Sequence, residues 1–384
     1  TATDSTPVSY NHQRKVFHDD AGNFWAFYWD GSNTVYTWSS DTATWENTVS
    51  QAFSTTGVDN PSVWFHDTGS TKIVYIVGDA STNDGDVNVR RGTISGTTIT
   101  WGTEATSTVS GSNVASKIAF ITRDTSGYLW IASSMKPTPT TYNVAAARSS
   151  ATDSVATWGA ATTLRDTSVS VNYAFPTILP LSGGDAYAFW YVDGNIEGKK
   201  YTASTTSWGS QESIATTTAS VTTKIPSAVV DGSYNIDLVY SDSSGAIQHK
   251  QRTSSWGSAT AVDSASGNTS PTITRETGTG DLYVFYLQST GQVKGRKYNG
   301  SWSDVTGIDT STTTKTYITS PYAVSAAWKV AWLWDQGGSS PYEVKIARVP
   351  EFEELAIPIG VVAAIVLLPR LARRSRRAAR GADA

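Results

Sequence analysis

Seven times along the chain a run of six to eight mostly aromatic and aliphatic residues appears, most of them closed by a short polar residue. The runs are NFWAFYWD (23–30), KIVYIVGD (72–79), GYLWIASS (127–134), DAYAFWYV (185–192), YNIDLVYS (234–241), GDLYVFYL (280–287) and WKVAWLWD (328–335). Runs this short, rich in Tyr, Trp, Phe and Val and flanked by turn formers, predict buried β-strands rather than helices. A more polar, alternating strand follows, as in GNIEGKKYT (194–202), GAIQHKQRT (245–253) and GQVKGRKYN (291–299). Then comes a tryptophan: Trp45, Trp101, Trp158, Trp208, Trp256 and Trp302 recur at spacings of 56, 57, 50, 48 and 46. Pro61, Pro176, Pro226, Pro271 and Pro321 mark the opening strand of most units.

Four short strands per unit, repeated, is the sequence pattern of propeller blades. Counting the apolar strands predicts an all-β, seven-bladed β-propeller over residues 1–349, with six blades as the rival. The seventh unit lacks a fourth strand. Residues 6–10, ahead of the first unit, are expected to supply it, close the ring and remove an open sheet edge. The repeated tryptophan is expected to pack between neighbouring sheets. Its alternative is a platform for sugar, and Trp256 and Trp302 are the candidates.

Composition narrows the function. Ser and Thr together number 103 and aromatics make up 11%, which excludes a disordered chain. There is no Cys, so disulfides, thiolate metal sites and Cys nucleophiles are excluded. The net charge of −4 hides an asymmetry, because the segment from Arg370 onward carries +5 and the rest −9. So acidic a body excludes nucleic acid as a partner.

The C-terminus carries its own signal. Residues 355–368 are uncharged, Glu351, Glu353 and Glu354 precede them, and Arg370, Arg373, Arg374, Arg376, Arg377 and Arg380 follow. Arginine gathered on one side marks the cytoplasmic face, and long side chains snorkel to headgroups across a short span. The pattern predicts an acidic linker (350–354), one short transmembrane helix (355–371) held by membrane lipid, and a basic cytoplasmic tail (372–384). The propeller is then extracellular. Pro350-Glu351-Phe352, an apolar stretch and an Arg cluster resemble an archaeal PEF-type sorting signal, which implies retention at the cell surface and exchange for another anchor. The opening TATDSTPVSY fits a chain whose signal peptide has been removed. Asn268 and Asn299 begin glycosylation sequons.

Two further resemblances concern the ring. ATDSVATW (151–158), and in shortened form SSDTATW (39–45), resemble the Asp box of sialidase-like propellers, which implies a structural turn away from the active face. The catalytic residues that family implies are not matched. Arg123 and Arg275 fall beside Asp124 and Glu276, in register with His18-Asp19 and His66-Asp67, and these pairs are read as solvated turn charges. The stretch 281–303 resembles blades of fucose-binding propeller lectins. That family implies an Arg on the second strand and a Glu on the third; only Glu197 matches, so the architecture carries over and the fucose grip does not.

Asp30, Asp79, Asp193, Asp242 and Asp335 end second strands on one rim. Turn formation is the plain reading. The functional one is an acidic ring that gathers cations or sugar hydroxyls. DASTNDGD (79–86) loosely resembles a calcium loop, with its Gly one place late; no other cofactor is expected, and no metal or catalytic residue is assigned. The fourth-to-first-strand connections, such as 107–116 and 309–320, are rich in hydroxyls. The sequence thus predicts a non-enzymatic, membrane-anchored surface protein. It binds extracellular polysaccharide, or assembles with copies of itself or other surface proteins as a coat or filament subunit. The alternative is an extracellular glycoside hydrolase of sialidase-like architecture, with Asp30 and Asp335 as its carboxylate pair.

Overall fold

The computed structural model describes residues 7–349, apart from 47, 81–85, 110–117, 139–140, 167–173, 218–221, 307, 309–310, 312, 314, 327–328 and 338–342. The anchor, its linker, the basic tail and the sorting motif Pro350, Glu351 and Phe352 lie outside the described residues, as does the middle of the calcium-like loop. Among the described residues no helix is long and apolar enough to cross a membrane.

All seven apolar runs form strands: Phe24–Trp29, Lys72–Ala80, Tyr128–Thr138, Ala186–Val192, Ile236–Ser241, Leu282–Leu287 and Ala331–Gln336. Each is the second strand of an antiparallel meander in its own sheet, with Ala323–Val324 added in parallel to the first strand of blade six, giving the seven blades of a β-propeller. These runs are continuous because both faces are covered. In Ala186–Val192, Tyr187, Phe189 and Tyr191 pack toward blade five with Ala228 and Leu238, whereas Ala188, Trp190 and Val192 pack toward blade three with Phe120 and Trp130. A strand's period of two assigns one face to each seam.

The tryptophans pack between blades, as expected. Trp101, Trp158, Trp208, Trp256 and Trp302 each lie against the core of the seam shared with the preceding blade. Trp208 meets Trp130 and Tyr201 edge-on, with centroids 5.7 and 5.4 Å away. Each such aromatic pair contributes about 1 kcal/mol beyond area burial.

Blade seven has three described strands: Lys315–Thr319, Ala331–Gln336 and Glu343–Arg348. Residues 7–10 do not complete it. The Pro7 carbonyl accepts from Trp29 N of blade one at 3.0 Å. Val8 N donates to Asp335 Oδ1 of blade seven at 2.8 Å. Tyr10 then takes a left-handed turn (φ 71°), and residues 11–15 run through the centre of the ring.

There the sequence Asn-His-Gln-Arg-Lys is at most 1% exposed and touches every blade. Phe27 N of blade one donates to the Lys15 carbonyl at 2.8 Å, and Val63 N of blade two to that of Arg14 at 2.7 Å. Gln13 Nε2 donates to the carbonyls of Asn60 in blade two and Ala119 in blade three, both at 2.9 Å. His12 lies over Phe120 of blade three and edge-on to Phe175 of blade four. Asn11 Nδ2 reaches the carbonyls of Ile225, just ahead of blade five, and Pro271 of blade six. Arg14 Nη2 reaches Ala228 O of blade five at 2.6 Å, and its Nη1 reaches Ile273 O of blade six at 2.8 Å. Thr319 Oγ1 of blade seven donates to Gln13 O at 2.6 Å. The N-terminus closes the ring as a hub rather than as a strand at residues 7–10.

Three first strands are bulged to meet this hub. Asn60, Ser270 and Tyr317 adopt φ of 47°, 51° and 46° at matching register shifts. A bulge re-aims the backbone; here it turns the carbonyls of Asn60 and Pro271 toward Gln13 and Asn11. Pro61 and Pro271 follow the bulge, where a missing N–H costs nothing. Ile318 takes that place in blade seven, so Pro321 falls beyond its strand instead of opening it.

Candidate functional site

The five rim aspartates serve separate local purposes. Asp30 Oδ1 accepts from the N–H groups of Ser32 and Asn33, both at 2.8 Å. Asp242 accepts from Ser244 N at 2.9 Å, Ala246 N at 3.0 Å and Gln248 Nε2 at 2.9 Å. Partial burial works against its charge, but the bonds from Ser244, Gln248 and Ala246 together hold its pKa below the ordinary aspartate value. Asp193 sits in a left-handed turn (φ 48°) with Gly194, a two-residue hairpin loop. Asp79 is buried within its strand, and Asp335 is buried against Val8 N. Among the described residues no three His, Asp or Glu side chains gather closely enough to hold a metal. Asp30 holds its own turn, and Asp335 holds the N-terminal segment through Val8 N.

The turn pairs on the opposite face need correcting, because several are buried. Asp19 and Asp124 are 0% and 1% exposed, and His18 and Glu276 are buried as well. Asp19 Oδ1 accepts from Ala21 N and Asn23 N, and its Oδ2 from Trp25 Nε1 at 2.9 Å. Asp124 repeats this with Ser126 N, Tyr128 N and Trp130 Nε1. Backbone and indole donors replace water, so the charges need no solvent. Burial first, then the Lys329 charge, pushes the His18 pKa down to about 4. Arg123 binds Asp153 at 2.6 Å, and Asp153 also accepts from Tyr75 OH of blade two at 2.6 Å. Glu197 accepts from Trp190 Nε1 and pairs with Arg165 of blade three.

The Asp-box-like turn at Asp41 is structural: its Oδ1 accepts from Ala43 N and Thr44 N at 2.8 and 2.7 Å. Trp45 and Trp158 return their indole N–H to Thr42 O and Val155 O.

A more suggestive feature lies between the third-to-outer-strand turns of blades five and six. An open cavity of about 540 Å³ is lined by His249, Gln251, Thr253, Ser255, Tyr298 and Trp302, among others. The rings of His249, Tyr298 and Trp302 converge: His249 to Trp302 is 5.7 Å between centroids and Tyr298 to Trp302 is 5.0 Å. Buried Asp237 orients the wall, binding His249 Nε2 at 2.9 Å and Gln251 Nε2 at 3.1 Å. No Asp, Glu, Lys or Arg lines this cavity. Of the two candidate tryptophans, Trp302 belongs to it; Trp256 does not, and gives its indole N–H to Tyr187 OH. The sequon turn supplies Gly300 and Ser301 to the lining and leaves Asn299 exposed at the mouth. Asn268 is buried, its amide donating to Ala265 O at 2.8 Å. Sequence reasoning singled out Trp302 and missed His249, Gln251 and Tyr298. They stand at alternating places on strands 245–253 and 291–299, a period that reveals a shared face but not what it faces.

No protein-family model matches the sequence, and no curated protein matches it. Solved structures do resemble the fold. The BP39L lectin from Burkholderia pseudomallei matches with a TM-score of 0.61 at 11% identity, over 88% of this chain and 97% of that one. The fucose-specific lectin of Aleuria aurantia matches with a TM-score of 0.51 at 12% identity, over 84% and 100%. An α-L-arabinofuranosidase of Fusarium graminearum matches with a TM-score of 0.51 at 11% identity, over 79% and 97%. At such identities the likeness is one of fold. It supports the lectin-like part of the resemblance read from 281–303; the sialidase-like and sorting-signal parts remain resemblances of sequence.

Proposed function

We propose that the chain is a glycan-binding propeller acting without turnover, with the cavity between blades five and six as its site. The carrying observation is the convergence of three aromatic rings over a wall of amide and hydroxyl groups, one side of it fixed by Asp237. A sugar offers C–H faces that pack on rings and hydroxyls that exchange hydrogen bonds with such groups, and a concave, partly apolar site with few fixed polar groups suits it. A lining without carboxylate, ammonium or guanidinium groups favours a neutral sugar. The lectin neighbours support this reading through shared architecture. Display at the cell surface, with a transmembrane helix anchoring the C-terminus, is the reading that the apolar stretch and Arg cluster of 355–380 support.

The test is a panel of neutral and acidic glycans and polysaccharides, read by saturable binding and by mass spectrometry of the recovered ligand. Binding with the ligand intact is expected. Trp302→Ala should weaken it about 30-fold, as loss of a stacking anchor does, and Trp256→Ala should leave it nearly unchanged. Equal losses in the two variants would remove the site assignment. Cleaved ligand would replace the binding reading with a hydrolase. Absence of binding across the panel would favour assembly with copies of itself or other surface proteins.

A further inference from the structure

YNIDLVYS, the apolar run of blade five, is broken by a carboxylate at Asp237, which is 2% exposed. At this register blades four and six carry Tyr187 opposite Lys200 and Tyr283 opposite Lys297, whereas blade five sets Asp237 opposite Gln251. A neutral amide thus stands where the neighbouring blades place a cation, and an acid where they place a phenol. That acid works on the cavity wall. Its Oδ1 takes the bonds from both His249 Nε2 and Gln251 Nε2, at 2.9 and 3.1 Å.

The pairing decides what the wall offers a ligand. A carboxylate accepts and does not donate, so His249 turns an N–H toward it and Gln251 its amide NH₂. In the neutral imidazole Nδ1 is then the acceptor, and Gln251 is left with Oε1. Both residues line the cavity, and neither Nδ1 nor Oε1 has a hydrogen-bond partner among the described residues. The site therefore combines two fixed acceptors, the hydroxyls of Thr253 and Ser255, and the rings of Tyr298 and Trp302.

We infer that the ligand of this site is a neutral N-acetylated amino sugar. The inference rests on the sugar-site reading above and names the class of sugar. An acetamido group answers each part of the wall. Its N–H donates to one of the fixed acceptors, its carbonyl accepts from a hydroxyl, and its methyl packs on the aromatic rings. A sugar hydroxyl in the same place makes one such bond and leaves the rings uncovered. An amine lacks both the carbonyl and the methyl, and no carboxylate in the lining stands ready to balance its charge.

Three oligosaccharide series that share one linkage separate the classes by a single substituent. Cello-oligosaccharides carry a hydroxyl, chito-oligosaccharides an acetamido group, and deacetylated chito-oligosaccharides an amine. Dissociation constants are measured by calorimetry on the full-length protein at about pH 8, where an ordinary histidine is neutral. The acetamido series should bind about 10-fold more tightly than either of the others, one hydrogen bond and one buried methyl apart. Asp237→Asn sets a donor behind the wall and lets His249 or Gln251 turn over. Gln251→Met removes one acceptor at an exposed position, away from the core. In both variants the ratio between the acetamido and hydroxyl series should fall by about threefold or more; a merely loosened pocket would weaken both series alike and leave the ratio unmoved. An unmoved ratio in both folded variants would overturn the inference. So would equal affinities for the two series with Trp302→Ala weakening both, which would leave the sugar site itself standing. Binding confined to glycans without an acetamido group would overturn it as well. Absence of binding to any glycan would remove the site, and this inference with it.

Discussion

Asp19, Asp124, Asp231 and Asp242 are used alike in three blades, twice in blade five, each accepting from the N–H groups two and four residues on. The device is written in the sequence as an Asp followed by a short polar turn and then a strand. Whether the carboxylate is solvated or sealed is not, because that depends on which side chains fold over it. His12 shows the same limit: among polar neighbours it reads as an exposed residue, yet burial, followed by the charges of Lys15 and Arg14, holds its pKa well below 6.5. A histidine kept neutral in the fold takes up its proton in the unfolded chain, so stability present above about pH 6.5 is lost as the pH falls. Asp153, Asp242 and Asp263 are held below the ordinary aspartate value, so the stability they contribute is lost only below about pH 4. Between about pH 6.5 and 4.5 the loss belongs to the buried histidines His12 and His18 and the half-buried His66. The melting temperature should therefore drop between pH 7 and pH 5. It should drop less in His12→Phe, whose ring keeps the stack on Phe120; an unchanged drop would move the effect elsewhere.

The second strands were legible because a strand buried on both faces must be apolar at nearly every position, a signal that needs no partner to be recognised. Third strands alternate, and outer strands are as short as Ser50–Gln51 and Ser207–Trp208, so their bounds come from pairing more than from composition. Gly245 holds φ at 87°, and a Cβ there would lie 2.3 Å from Gly267 N, in the backbone that leads into blade six. Gly69 has a similar φ of 81° in open space. Gly69→Ala should therefore cost about 1 kcal/mol, the price of the left-handed backbone alone. Gly245→Ala adds a backbone clash and should cost several-fold more, read as a difference in chemical-denaturation midpoint. Equal costs would show that the two turns yield to each other freely.

Across the whole molecule the hub at residues 11–15 couples all seven blades, so the ring does not behave as independent repeats. Buried acceptors left without donors cost about 1–3 kcal/mol each, and the hub serves carbonyls in blades two, three, five and six. Arg14 shows how much is invested there. It is fully buried, its pKa lowered to about 10 chiefly by that burial, and carbonyls and hydroxyls surround its guanidinium. A chain beginning at Val16 should lose its single cooperative thermal transition in near-ultraviolet circular dichroism. A truncated chain melting within about 2 °C of the full one, a shift of only about 1–2 kcal/mol, would show that the blades close without a hub. The proposed sugar site works on this scale too, since its wall is shared by blades five and six and exists only while their seam is shut.

The sequence by itself determined the all-β class, favoured seven blades over six, and placed the strands at their hearts and a tryptophan in six of the seams, since these follow from periodicity along one chain. Only the tertiary structure decided where charge and polarity are spent. It drew Asn11 to Lys15 into the centre, set Asp335 against Val8, buried Asp19 and Asp124, and brought His249 of one blade to Trp302 of the next. The physical reason is that a hydrogen bond or a shared wall between residues far apart in the chain leaves no period in either strand. Local pattern records which face of a strand is covered, and not what covers it.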